Sequence, residues 1–110
     1  MDIAAALPML SALSQETRLN VFRMLVRAGP GGLPAGEISG RLGIRQNTMS
    51  SHLSILANSG LVHSERFSRT IRYSADFDAM RGLLAFLLED CCGGRKELCQ
   101  PLIEQIACAC

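Results

Sequence analysis

Residues 37–62 read EISGRLGIRQNTMSSHLSILANSGLV, and their punctuation decides the fold. The spacing predicts a short helix from Ala35 to Leu42 that meets Gly43, then a second helix from near Gln46 to Asn58 stopped by Ser59-Gly60. Two short helices joined by a few residues containing glycine form a helix-turn-helix signature. In the second helix Met49, Leu53 and Leu56 make an inward stripe, leaving Gln46, Asn47, Ser50, Ser51 and Ser54 on other faces. Those side chains are small, polar and uncharged. They make either an ordinary soluble helix face or one that enters a major groove closely, where Gln and Asn can pair with adenine and serines reach bases or phosphates.

The flanking segments favour the second reading. From Leu61 to Ala75, Val62, Ser64, Arg66 and then Thr70, Arg72, Ser74 alternate with His63, Glu65, Phe67, Ile71 and Tyr73. This pattern predicts a two-stranded hairpin turning around Ser68-Arg69, although the turn lacks Asn-Gly or Asp-Gly. A hairpin directly after a helix-turn-helix is a wing, and Arg66, Arg69 and Arg72 would place cations along it for phosphate or minor-groove contact. Upstream, Ser14 is expected to cap a helix in which Leu19, Val21, Phe22, Met24, Leu25 and Val26 recur at helical spacing. That helix should end at Ala28, before the loop Gly29-Pro30-Gly31-Gly32. The expected fold is mainly α (α+β): a winged helix-turn-helix with five to six helices and a two-stranded β-hairpin wing.

A chain of 110 residues, 48% hydrophobic and 19% charged, suits one soluble domain with a modest core. The expected division is a DNA-binding domain over 1–92, to which the family resemblance given below adds dimerisation, and a continuous cysteine-rich extension over 93–110. The longest apolar run, Leu83–Leu88, is too short to cross a bilayer, and the apolar opening Ile3–Leu13 follows Asp2 where a signal peptide would carry basic residues. A cytoplasmic location is expected, where thiols stay reduced. The net charge of +1 conceals a division: residues 36–75 carry an excess of +3 and residues 76–110 a balance of −3. A polyanion would be drawn to the middle of the chain.

The motifs Leu42-Gly43-Ile44-Arg45-Gln46, Ser51-His52-Leu53-Ser54-Ile55-Leu56 and Ser59-Gly60-Leu61-Val62 closely resemble the ArsR/SmtB family of winged-helix, metal-responsive bacterial repressors. Ser14-Gln15-Glu16-Thr17-Arg18-Leu19 looks like the start of that family's second helix, so the resemblance runs over residues 3–92. It implies a homodimer joined through the first helix and the helix after the wing, bound to double-stranded operator DNA and released by an inducer. The DNA-contacting residues expected are Arg45, Gln46, Asn47, Thr48, Ser50, Ser51, His52, Ser54, Arg66, Arg69 and Arg72, with His52 serving helix packing or a phosphate and His63 lying on the wing. No organic cofactor, membrane or enzymatic activity is expected.

The chain departs from the family where inducers usually bind. Many arsenic-responsive members carry a Cys-x-Cys pair where this sequence has Pro34 and Gly36. The family's zinc site between paired fifth helices uses Asp and His, yet Asp78 has no imidazole partner here, since His52 and His63 belong to the DNA-binding half. All five cysteines instead fall in the last 20 residues: Cys91, Cys92, Cys99, Cys108 and Cys110.

Three thiolates, Cys91, Cys92 and Cys99, suit trivalent arsenic or antimony, because three negative sulfurs cancel a +3 centre and soft ligands select soft acceptors. Cys91 and Cys92 are expected at the end of a helix over Phe77–Cys91 whose apolar face is Met80, Leu83, Leu84, Leu87 and Leu88. They lie about 100° apart around its axis, so Gly93-Gly94 would have to turn the chain back. Pro101 suggests a last helix starting near Gln100, with Cys99 at its entrance beside Arg95 and Lys96, where amide dipoles favour a thiolate. Cys108 or Cys110 could complete a four-sulfur zinc, cadmium or lead site; alternatively the pair is a frayed terminus, a second weak site, or a supply of ligands to the other subunit. A disulfide-switched repressor would use the same cysteines. A thiol enzyme would need an activating base, and neither histidine is near the cluster in sequence.

Overall fold

The computed structural model describes residues 1–89, 93 and 95–109, the side chains of 96 and 107–109 excepted. Among them run α1 (Ile3–Leu13), α2 (Glu16–Ala28), β1 (Leu33–Pro34), α3 (Ala35–Leu42), α4 (Gln46–Ser59), β2 (Val62–Phe67), β3 (Thr70–Ala75), α5 (Phe77–Leu87) and α6 (Lys96–Ala109). The mainly helical, winged helix-turn-helix expectation is borne out.

Helical periodicity builds the core. Val21, Phe22 and Leu25 of α2, Ile38 of α3, and Met49, Leu53 and Leu56 of α4 converge on Leu61 and Val62 at the root of β2. Seven of the larger core side chains are essentially inaccessible, including Leu25, Leu53 and Leu56. Each buried aliphatic of this size contributes about 1.5–3 kcal/mol relative to exposure. Helix α1 is capped by Asp2, whose Oδ1 accepts from Ala5 N at 2.9 Å. It buries Ala6, Met9 and Ala12 at three-residue spacing, two of them small enough to let it lie close to α2 and α4.

The boundary between α1 and α2 differs from expectation. Ser14 closes α1, donating its hydroxyl to Ser11 O at 2.7 Å, and Gln15 caps α2 by accepting from Arg18 N at 2.8 Å. Capping by Gln15 moves the start of α2 one residue on, to Glu16, and leaves Ser14 to finish the preceding helix.

The sheet has three antiparallel strands in the order β1-β3-β2, where two were expected. Strand β1 pairs Leu33 with Tyr73 and Pro34 with Arg72. Two residues carry no readable alternation, so this strand is invisible in the sequence. Its approach requires Gly32, at φ 65°, because a Cβ there would stand 2.0 Å from Tyr73 O. The wing turns at Ser68-Arg69 as expected, with Phe67 opposite Thr70 and Ser68 at φ 59°.

A two-residue turn inverts parity across the hairpin, and this sets two of the wing's arginines on different faces. Arg66 pairs with Ile71, whereas Arg72 pairs with Glu65 on the opposite face. The even-numbered residues of the two strands therefore do not share a side.

Helix α5 ends at Leu87, short of Cys91. Leu88 N donates to Leu84 O and Glu89 N to Phe86 O, a tightening that closes the last turn. Helix α6 starts at Lys96, not near Gln100, with Leu98 N bonded to Arg95 O. Pro101 thus lies inside the helix, where its missing N–H deprives the Glu97 carbonyl of its usual donor. The radius of gyration is 15.5 Å, against about 13 Å for a compact chain near this length. Apolar surface remains uncovered on α1 at Ile3, Leu7 and Leu10, on α5 at Leu84 and Leu87 and its C-cap Leu88, and on α6 at Leu98, Leu102, Ile103 and Ile106.

Candidate nucleic-acid interface

Helix α4 presents the polar face read from the sequence. Met49, Leu53 and Leu56 anchor it inward, while Arg45, Gln46, Asn47, Thr48, Ser50, Ser51 and Ser54 are exposed. Asn47, Ser50, Ser51 and Ser54 fall within one arc of about 100°. Local bonds steady the leading turn: Thr48 N donates to Asn47 Oδ1 at 2.9 Å, and Ser51 Oγ to Asn47 O at 3.4 Å. Gln46 lies at the edge of this arc, with its Nε2 turned toward the start of α3, 3.8 Å from where a Gly36 Cβ would stand.

His52 is half-buried, and its Nδ1 lies 3.4 Å from Arg18 Nη1. Its position supports the packing role. Arg18 itself carries no obvious signal in the sequence, yet it also donates from Nε to Ala12 O at 2.7 Å, satisfying a carbonyl at the end of α1.

The wing arginines divide. Arg66 and Arg69 are exposed, Arg66 Nε donating to Ser68 O at 3.4 Å. Arg72 is half-buried, and its Nη1 donates to Gly31 O at 3.1 Å and Gly32 O at 3.0 Å. It ties β3 to the loop before β1, a structural task that sequence reading missed because the loop lies 40 residues away. His63 is exposed on β2, as expected.

The cysteine site is only partly in view. Cys91, Cys92 and Cys110 and the side chain of Cys108 lie outside the described residues. Cys99 is half-buried, the fourth residue of α6 where it was expected at the entrance, and is disulfide-bonded. Among the described residues no three His, Cys, Asp or Glu side chains converge on a metal-sized site. The charge near Cys99 is partly neutralised, since Arg95 Nε pairs with Glu97 Oε1 at 2.7 Å. A backbone N–H first, and Arg95 second, hold the exposed Glu97 carboxyl below its ordinary 4.5.

An inward stripe on a recognition-type helix, a following cationic wing and a sheet pairing it to the preceding loop define a winged helix-turn-helix DNA-binding class. Residues 13–65 match the helix-turn-helix domain family. The HTH-type transcriptional regulator YgaV of Escherichia coli is 36% identical over 84 residues, covering 76% of this chain and 81% of the relative. The transcriptional activator HlyU of Vibrio cholerae is 31% identical over 84 residues, covering 76% and 75%. The solved structure of an ArsR-like transcriptional regulator from Rhodococcus sp. RHA1 superposes with a TM-score of 0.68 at 31% identity, over 94% of this chain and 93% of that one. The chain belongs to the ArsR/SmtB family of winged helix-turn-helix transcriptional regulators. Its relatives are named as regulators of transcription, not as catalysts. No helix among the described residues is long and apolar enough to cross a membrane.

Proposed function

We propose that the chain is a homodimeric, cytoplasmic repressor that grips operator DNA with α4 and the wing and is released when trivalent arsenic or antimony binds Cys91, Cys92 and Cys99. The observation that carries the DNA half is the uncharged polar arc of α4 held outward by Met49, Leu53 and Leu56, beside Arg69. Dimerisation is supported by the uncovered apolar residues on α1 and α5, two helices that touch in the monomer. The extension over 93–110 would then act as an inducer-sensing appendage to the domain over 1–92.

The donor set fits a thiophilic metalloid. Arsenous acid condenses with three thiols to give three arsenic–sulfur bonds and three waters, with no change in oxidation state. The half-buried Cys99 fits a ligand that is neutral once bound. Occupancy would draw α6 toward the end of α5 and bias the spacing of the recognition helices, which must meet grooves about 34 Å apart. Inducer and DNA would weaken each other by one coupling free energy, commonly about 1–3 kcal/mol.

The Cys99 disulfide favours a second reading, a redox-switched repressor. There two thiols lose two electrons and two protons to an oxidant such as peroxide, and a thiol reductant returns them. One titration separates the two. Reduced protein on labelled operator DNA is challenged with As(III), Sb(III), Cd(II), Zn(II) and peroxide. Release by As(III) or Sb(III), lost in Cys91→Ser, Cys92→Ser or Cys99→Ser protein, supports the metalloid reading. Full inducibility of all three variants by arsenite overturns it, and release by peroxide alone supports the redox reading.

A further inference from the structure

The starts of α3 and α4 and the tip of the wing enclose a cleft of about 380 Å³. Its apolar wall is Met49, Leu53 and Ile71, and its polar wall is Ser39, Gln46 and Arg69. This volume lies at the small end of organic-ligand sites, which pair an apolar lining with a few convergent polar groups.

Three independent features give the cleft a preference for negative charge. Ser39 is 5% exposed, and its Oγ makes no hydrogen bond among the described residues, an expense for a buried hydroxyl unless something accepts from it. Both helices begin here without a side-chain cap, because Pro34 and Arg45 occupy the capping positions. Apart from Thr48 N, which donates to Asn47 Oδ1, their leading N–H groups meet no side-chain acceptor among the described residues, and both positive dipole ends lack the usual capping oxygen. Arg69 supplies a full cation at the rim and makes no ion pair or hydrogen bond of its own among the described residues.

We infer that this cleft is a second effector site, taking a small organic anion: one carboxylate or phosphate on a compact apolar body. The acid group would accept from Ser39 Oγ, Gln46 Nε2 and Arg69, and the body would lie on Met49, Leu53 and Ile71. An inorganic phosphate alone would leave the apolar wall uncovered. Gln46, Ser50 and Arg69 also belong to the proposed DNA-reading surface, so an occupied cleft competes with the operator without using any cysteine. That competition rests on the proposed function, whereas binding of the anion does not.

The test therefore reads the full-length reduced protein alone. Amide spectra are recorded while sodium benzoate, its neutral isostere benzamide and inorganic phosphate are added separately. Benzoate is expected to shift the amides of Ser39, Ser50 and Ile71 saturably, with benzamide at least about tenfold weaker. Ser39→Ala and Arg69→Gln are each expected to weaken benzoate about three- to tenfold. Gly36→Leu, which fills the cleft beside Gln46, should abolish binding. Absence of saturable shifts, equal binding of benzamide, or equal binding of phosphate, which would mark a seat for a DNA phosphate only, each overturns the inference. So does undiminished binding in both Ser39→Ala and Arg69→Gln.

Discussion

Arg18 of α2 lies against His52 of α4, Nη1 to Nδ1 at 3.4 Å, while its Nε holds the last turn of α1 through Ala12 O at 2.7 Å. A guanidinium only donates, so the imidazole nitrogen accepts. One side chain thereby links the helix proposed for dimerisation to the helix proposed for DNA reading.

Arg18→Ala should cost about 1.5–3 kcal/mol in urea unfolding, the range for bonds from a charged donor. It should also weaken operator binding by more than His52→Ala does, because it frees both α1 and α4. Equal affinity of Arg18→Ala and the unmodified protein in an anisotropy titration would show that the link has no functional weight.

Gly32 and Gly31 make opposite predictions although they are adjacent. Gly32→Ala places a methyl group 2.0 Å from Tyr73 O at a positive φ, and should destabilise by about 2–4 kcal/mol. Gly31→Ala meets nothing within 4 Å and should be neutral or stabilising by up to about 1 kcal/mol. Paired thermal melts check both.

Arg69 and Arg72 should separate in the same way between binding and folding. Arg69→Ala is expected to lower the slope of log affinity against log salt by about 1, the signature of one lost phosphate contact, with unchanged stability. Arg72→Ala should lose about 1–2 kcal/mol of stability through the Gly31 and Gly32 carbonyls. An unchanged salt slope for Arg69→Ala would remove that residue from the interface.

Leu87 is 51% exposed on α5 and contributes little to the monomer core. Leu87→Glu should therefore leave the secondary structure intact while halving the mass measured by sedimentation, since a carboxylate in an apolar helix interface carries a desolvation cost. A variant that sediments as the parent does would place the dimer contact elsewhere.

Glu97 provides a pH signature in α6. Because its carboxyl titrates below 4.5, its contribution to the helix is complete above that value and is lost as pH falls through the lower, folded value. Glu97→Gln should abolish this acid-side fraying, followed by the carboxyl and amide shifts of residues 95–99 in NMR titrations.

Periodicity and punctuation made much of this molecule legible. The stripe Met49, Leu53, Leu56 fixed α4, Gly43 and Gly60 fixed the ends of α3 and α4, and the alternation from Val62 to Ala75 fixed the wing. These are local signals, since helix period and turn chemistry act over a few residues. Where two local signals competed the reading slipped. Ser14 was the better cap by residue type, yet Gln15 does the capping, and Pro101 was expected in a first turn but lies within α6.

The sequence by itself determined which residues turn inward, where the chain turns, and that every cysteine thiol sits at one end. Only tertiary structure decided that Leu33–Pro34 joins the sheet, that Arg72 is spent on a loop 40 residues away, that Arg66 and Arg72 face apart, and that Ser39 lines a cleft between α3, α4 and the wing. The reason is physical. Helix period and turn preference are encoded in neighbouring residues, whereas the partner of a guanidinium or a buried hydroxyl is set by segments brought together only when the core closes.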